Sequence, residues 1–226
     1  MIADIATRAS LATFVGAALF ASSSAIAATL YTETNSASEN QLQVYETLPD
    51  GNPTLTAEIA TGGLGNGAGL GSQGALALSV SHRFVFAVNA GSNDVSSLEI
   101  GPHGLKLVSK VSSGGTTPIS LTTYGDLLYV LMDRGLLSCY DAKTGELVYK
   151  PTRLGGANAY TSSPWAYDGK VFCLDENGET TVVQAGREYT VLHQNPLGED
   201  DMTLATPAIA GKKLLIRTIK RVYCIE

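Results

Sequence analysis

The chain is poor in the residues that build metal centres, redox switches and electrostatic docking surfaces. It has three cysteines, three histidines and one tryptophan in 226 residues. Cys139, Cys173 and Cys224 are far apart, and no C-x-x-C pair exists, so no metal site is expected. An odd number of cysteines leaves at least one thiol unpaired in an exported protein. All three lie in apolar runs (LLSCYD, VFCLD, VYCIE), where they are expected to be buried as small hydrophobes. Charge is also scarce, at 16% of residues with a net value of −6. No basic stripe is present, so nucleic acid is not an expected partner. No apolar run reaches the roughly 20 residues a membrane-spanning helix needs. Residues 11–20 (LATFVGAALF) come nearest; they follow Arg8 and precede Ala25-Ile26-Ala27. That pattern predicts a secretory signal peptide over 1–27, the alternative being an N-terminal core helix. No cysteine follows the cleavage site, so no lipid anchor is expected there. The remaining chain, 28–226, is then periplasmic or extracellular. Within it no segment has a helical period, which predicts an all-β fold.

Glycine and turn residues are plentiful, with 24 glycines. Alternating runs between them give five groups of strands, counted 3, 4, 4, 4 and 3. Arg83–Val88, Asp126–Leu131, Lys170–Leu174 and Lys213–Arg217 align as one recurring strand, at spacings of 43, 44 and 43. A period of about 40–50 residues with four short strands per unit predicts β-propeller blades. Four to five blades fit, as a small ring or as an incomplete, open propeller. The first group reads as a blade without its inner strand, the last as one without its outer strand. Unpaired blade edges recruit other chains, so a protein partner or self-association is expected.

In such a meander the loops between blades share a face with each blade's middle hairpin loop. Those loops are long, and long loops carry binding and chemistry, so any site is expected on that face. Asn89, Ser92 and Asn93 form a polar hairpin there. Arg134 and Arg153 share the face, and their forked donors suit a carboxylate ligand. Asn89, Asn93, Arg134 and Arg153 are therefore the candidate ligand-binding residues, each set against a plain role in turn geometry or solvation. No catalytic constellation is visible. His82, His103 and His193 sit in or near turns without partners at catalytic spacing. Gly69–Gly74 fits G-x-G-x-x-G, but a strand pattern follows where a dinucleotide site needs a helix; a loop with at most a weak anion site is expected. Asp175–Glu179 lacks calcium-loop spacing and reads as a hairpin turn. Glu199-Asp200-Asp201 reads as a solvated loop or one edge of a cation site.

Two stretches resemble known families. LYTETNSASENQLQVYE, ATGGLGNGAGLGSQGALALSV, FVFAVNAGSNDVSSLEI and SGGTTPISLTTYGDLLYVL, within residues 28–131, resemble the lactonase-type seven-bladed propellers related to YVTN repeats. GLLSCYDAKTGELVYK, SSPWAYDGKVFCLDENGETTVV and ATPAIAGKKLLIRTIKRVYCIE, within 132–226, resemble PQQ-like repeat propellers. Asp141–Tyr149 matches that family's D-A-x-T-G-x-x-x-W motif, with Tyr149 in place of the tryptophan that docks between blades. The join falls near residue 132, and the chain has room for about half of each family's blades. The resemblance implies a non-catalytic binding or assembly scaffold, since PQQ-like repeats also occur in scaffolds. It implies two alternatives: a lactone hydrolase of the 6-phosphogluconolactonase type, or a remnant of a PQQ-dependent dehydrogenase. No cofactor is expected; PQQ enters by resemblance only.

Overall fold

The computed structural model describes residues 28–48, 50–155, 159–198 and 201–226. The predicted signal peptide, Pro49, and Glu199 and Asp200 of the predicted acidic loop lie outside the described residues. Five antiparallel sheets follow one another along the chain. β1 (Thr29–Glu33), β2 (Gln41–Thr47) and β3 (Pro53–Ala60) form the first. The second holds β4 (Leu76–Leu78), β5 (Phe84–Asn89), β6 (Asp94–Gly101) and β7 (Gly104–Ser112). The third holds β8 (Pro118–Tyr124), β9 (Leu127–Met132), β10 (Leu136–Asp141) and β11 (Leu147–Arg153). The fourth is β12 (Trp165–Tyr167), β13 (Lys170–Leu174), β14 (Glu179–Gln184) and β15 (Val191–Pro196). β16 (Ala208–Ala210), β17 (Lys213–Arg217) and β18 (Val222–Ile225) complete the last. The 3, 4, 4, 4, 3 grouping is as the strand pattern predicts, and no helix occurs among the described residues.

Burial explains why each run takes its place. β5 and β9 are buried on both faces, so they need continuous apolar sequence, FVFAVN and LLYVLM. β7 and β11 lie outermost and mix partly covered with exposed side chains. The inner strands β4, β8 and β12 pack side by side. Three cores fill the seams between sheets, the first joining Leu42 to Val85, Ala87 and Leu98. Phe86 and Val88 meet Leu128, Val130 and Met132 between the second and third sheets. Tyr129, Leu131 and Cys139 meet Val171, Cys173 and Val183 between the third and fourth.

The structure corrects the repeat register. The second strands of the last four sheets start at Phe84, Leu127, Lys170 and Lys213, each 43 residues after the one before. Pairing Asp126 with Lys170 is one residue out, because the turn Gly125-Asp126 corresponds to Asp168-Gly169. A one-residue slip moves every side chain to the opposite face. Tyr129 therefore matches Phe172 and Phe86, not Cys173, and faces the following sheet as they do.

Cysteine burial also needs correcting. Cys139 and Cys173 are buried, and burial pushes both thiols up to about 12. Cys224 is exposed on the last sheet. All three are free thiols.

Candidate functional site

Asn89 and Asn93 sit on the expected face, but the fold itself uses them. Asn89 is fully buried. Its amide donates to Asp94 Oδ1 at 2.6 Å and to Ser96 Oγ at 2.8 Å. Its oxygen accepts from Asn40 Nδ2 at 3.0 Å and from Thr61 Oγ1 at 2.7 Å. Ser96 Oγ donates onward to Thr61 O at 2.7 Å. Lys110 closes the outer side, donating to Gly62 O at 2.7 Å and lying 3.5 Å from Asp94. This network ties the first sheet to the second. Gly63 packs against it so closely that a Cβ would fall 2.3 Å from Asn89 Cγ. Asn93 takes a positive φ of 59°, which asparagine tolerates in a tight hairpin. Its Oδ1 accepts from Thr117 N at 2.7 Å.

Arg134 and Arg153 are brought together at the surface. Arg153 Nη1 donates to Arg134 O at 2.7 Å, and Arg134 Nε lies 3.5 Å from Asp133. Gly135 holds this corner: with φ of 72° it leaves room for the buried Tyr160, whose ring a Cβ would meet at 2.5 Å. Asn89 and Asn93 are committed elsewhere, so the four candidates do not form one site. His82, His103 and His193 are exposed.

The glycine-rich stretch runs into a cluster of hydroxyls at the inner strands. Ser120, Ser163 and Thr206 stand 43 residues apart. Ser72 Oγ lies 2.5 Å from Ser120 Oγ, and Ser120 Oγ lies 3.2 Å from Ser163 Oγ. Gly74 N donates to Ser163 Oγ at 2.8 Å, and Thr206 Oγ1 donates to Gln73 Oε1 at 2.7 Å. The Gly74 N–H is thus consumed, and β4 follows directly, not a helix. Asp175 forms a turn, its Oδ1 accepting from Asn177 N at 3.0 Å and Glu179 N at 2.8 Å. Among the described residues, no group of three or more His, Cys, Asp or Glu is placed to hold a metal.

Asp201 overturns its reading as a solvated loop residue. It is buried, at 3% exposure. Thr218 Oγ1 donates to its Oδ2 at 2.5 Å and Lys220 N to its Oδ1 at 3.0 Å, while Arg221 Nε lies 3.4 Å away. Burial opposes its charge, but the Thr218 and Lys220 hydrogen bonds and the Arg221 and Lys220 charges outweigh that and hold its carboxyl below the usual range. The clamp fixes the β17–β18 turn against residues 202–204, with Ile219 N donating to Met202 O at 2.9 Å. Met202, Leu204 and Ile219 are thereby held out in solvent, Ile219 at 69% exposure. Sequence reasoning missed this patch. Its signal was an apolar Met202–Leu204 and Ile219 flanking acid and base in two loops of one face.

No protein-family model matches the chain, and no curated protein sequence matches it. Solved structures resemble it in fold. BamB from Moraxella catarrhalis is 13% identical with a TM-score of 0.57, over 81% of this chain and 54% of that one. A putative 6-phosphogluconolactonase from Bacteroides uniformis is 12% identical with a TM-score of 0.53, over 88% and 78%. The computationally designed protein Ika4 is 14% identical with a TM-score of 0.51, over 68% and 93%. The chain spans about half the length of the BamB chain. Five meandering sheets stacked through their faces, with these likenesses, define a protein of the β-propeller class. At such identities the likeness concerns fold alone.

Proposed function

We propose that the protein is an exported β-propeller-type binding module, a scaffold on which another protein docks, and not a catalyst. The observation that carries this is the patch of Met202, Leu204 and Ile219 on the long-loop face, held out by the buried Asp201 clamp. Exposed apolar side chains grouped beside polar ones mark protein contact surfaces, and here a buried carboxylate is spent on presenting them. In sequence the module reads as two partial propellers joined near residue 132.

A photo-crosslinking residue at position 219 is expected to capture a protein adduct in cells, whereas one at His103, on the opposite face, captures none. Ile219→Asp in a protein crosslinked from position 204 is expected to abolish the adduct. Equal labelling from 219 and 103, or none from 219, overturns the reading.

A second reading, a lactone hydrolase, is favoured by one observation: Arg134 and Arg153 share a corner of the loop face. Two guanidinium groups there suit an acidic lactone. If it holds, purified protein turns over members of a lactone panel, and Arg134→Ala or Arg153→Ala removes that turnover. Absence of turnover across the panel sinks it.

A further inference from the structure

The seam between the second and third sheets is packed by Val88, Val130 and Met132 but opens into a cavity toward the outer strands, and the repeat register explains why. Each sheet presents one row of side chains to the sheet that follows. In the third sheet that row is Tyr129, Cys139 and Tyr149. Tyr189, in the connection between β14 and β15, meets Tyr149 edge-on, with ring centroids 5.7 Å apart. The same row in the fourth sheet is Phe172, Val182 and His193. In the second sheet it is Phe86, Ser97 and Ser109. Ser109 thus stands where the third sheet has Tyr149. The result is a cavity of about 460 Å³ lined by Phe84, Phe86, Ser97, Ser109 and the turn Asp141–Gly145. That volume lies within the roughly 300–1,000 Å³ of small-molecule pockets. The cavity lies on the side of the short turns, away from the face where sequence reasoning places a site.

We infer that this seam binds a small single-ring phenol, which takes the place that a tyrosine side chain fills one seam further on. Phe84 and Phe86, 6.4 Å apart and nearly parallel, give the ring an apolar wall. Ser97 and Ser109 supply hydroxyls that can donate to or accept from the phenol oxygen. Glu99 and Lys143 stand at the opening, each already engaged in an ion pair, with Arg83 and Asp126 respectively. The opening therefore carries no unbalanced charge, which suits a neutral ligand over an ionic one. The site is independent of the scaffold reading and fails separately from it.

p-Cresol, the tyrosine side chain as a free molecule, is the probe. Titrated into the full protein, it is expected to give saturable amide shifts at residues 84–86, 97, 109 and 141–145. For a ligand of this size the dissociation constant should be on the order of 1 mM. Ser109→Tyr fills the cavity from within and is expected to weaken binding at least about tenfold, since the intramolecular ring occupies the same space. Ser109 is exposed, so the variant keeps its fold, which an unchanged amide spectrum elsewhere verifies. Cyclohexylmethanol, similar in size but not aromatic, is expected to bind several-fold more weakly. Shifts that do not saturate, binding unchanged in Ser109→Tyr, or equal binding of cyclohexylmethanol would each overturn the inference.

Discussion

Replacing Asn89 with alanine is expected to destabilise the fold by about 3–4 kcal/mol, a loss near the top of what single substitutions cause. The amide both donates and accepts within one buried cluster. Its removal strips donors from Asp94 Oδ1 and Ser96 Oγ and an acceptor from Asn40 and Thr61. Each buried group left unpaired costs about 1–3 kcal/mol, and their neighbours can only partly re-pair. Asn89→Asp is nearly the same shape but should be worse at neutral pH, because it sets a second carboxylate against Asp94. Asn93→Ala should cost less, about 2 kcal/mol, since it loses the hydrogen bond from Thr117 N and puts alanine at a φ of 59° that asparagine tolerates better. Urea unfolding of the purified protein measures all three. A ligand contact without structural work predicts a different result, namely Asn89→Ala with an unchanged midpoint.

The contrast between Asn89 and Arg153 shows what sequence can disclose. The strand pattern was legible because burial imprints it. β5 and β9 are covered on both faces and read as unbroken apolar runs, while β7 is half covered and alternates. Period and turn chemistry then located five sheets. The registration of one repeat on the next was not legible to the residue, because the two-residue turns before β9 and β13 match in length but not in sequence: Tyr124 pairs with Leu127 around Gly125-Asp126, and Tyr167 with Lys170 around Asp168-Gly169. Phe172 joins Phe86 and Tyr129 in one aromatic row only once that slip is removed, and the gap at Ser109 shows only through the strand pairing. The polar residues were misread for another reason. Asn89 and Asp201 carry loop-like sequence signals, and loops are usually solvated. Here the residues that fold over them, Gly63 and Thr218, come from other segments of chain. Nothing local distinguishes a polar side chain facing water from one facing a distant partner. Arg134 and Arg153 were placed correctly on one face because that inference needed only the alternation of the meander.

The second large effect is a loss of stability on raising the pH, caused by Glu33. Its carboxylate oxygens are buried at the loop end of β1, opposite Leu42 on the side that packs against the second sheet, and neither has a hydrogen-bond partner. Asn40 is the polar neighbour, but its two amide hydrogens go to Val88 O at 3.1 Å and Asn89 Oδ1 at 3.0 Å. Burial therefore dominates and raises the Glu33 carboxyl from 4.5 to about 8, with Asn40 opposing only weakly. Below about pH 4.5 the folded and unfolded chains both hold this proton. Between 4.5 and about 8 only the folded chain holds it, so stability falls as pH rises, by about 1.4 kcal/mol per unit at most. Above 8 the full cost is present. Asp201 has the opposite sign, since its folded carboxyl lies below the unfolded value. Its contribution is complete above the unfolded value and disappears only as pH falls through the folded one, so the two effects occupy separate windows. Glu33→Gln keeps the shape and removes the charge. It is expected to match the parent near pH 4.5 and to exceed it by about 3–4 kcal/mol at pH 8.5. Thiols and phenols that titrate above pH 8 are common to both proteins and cancel in the comparison. Urea midpoints across that range decide the matter: curves for parent and variant that stay parallel from pH 4.5 to 8.5 would show that Glu33 ionises freely in the folded chain.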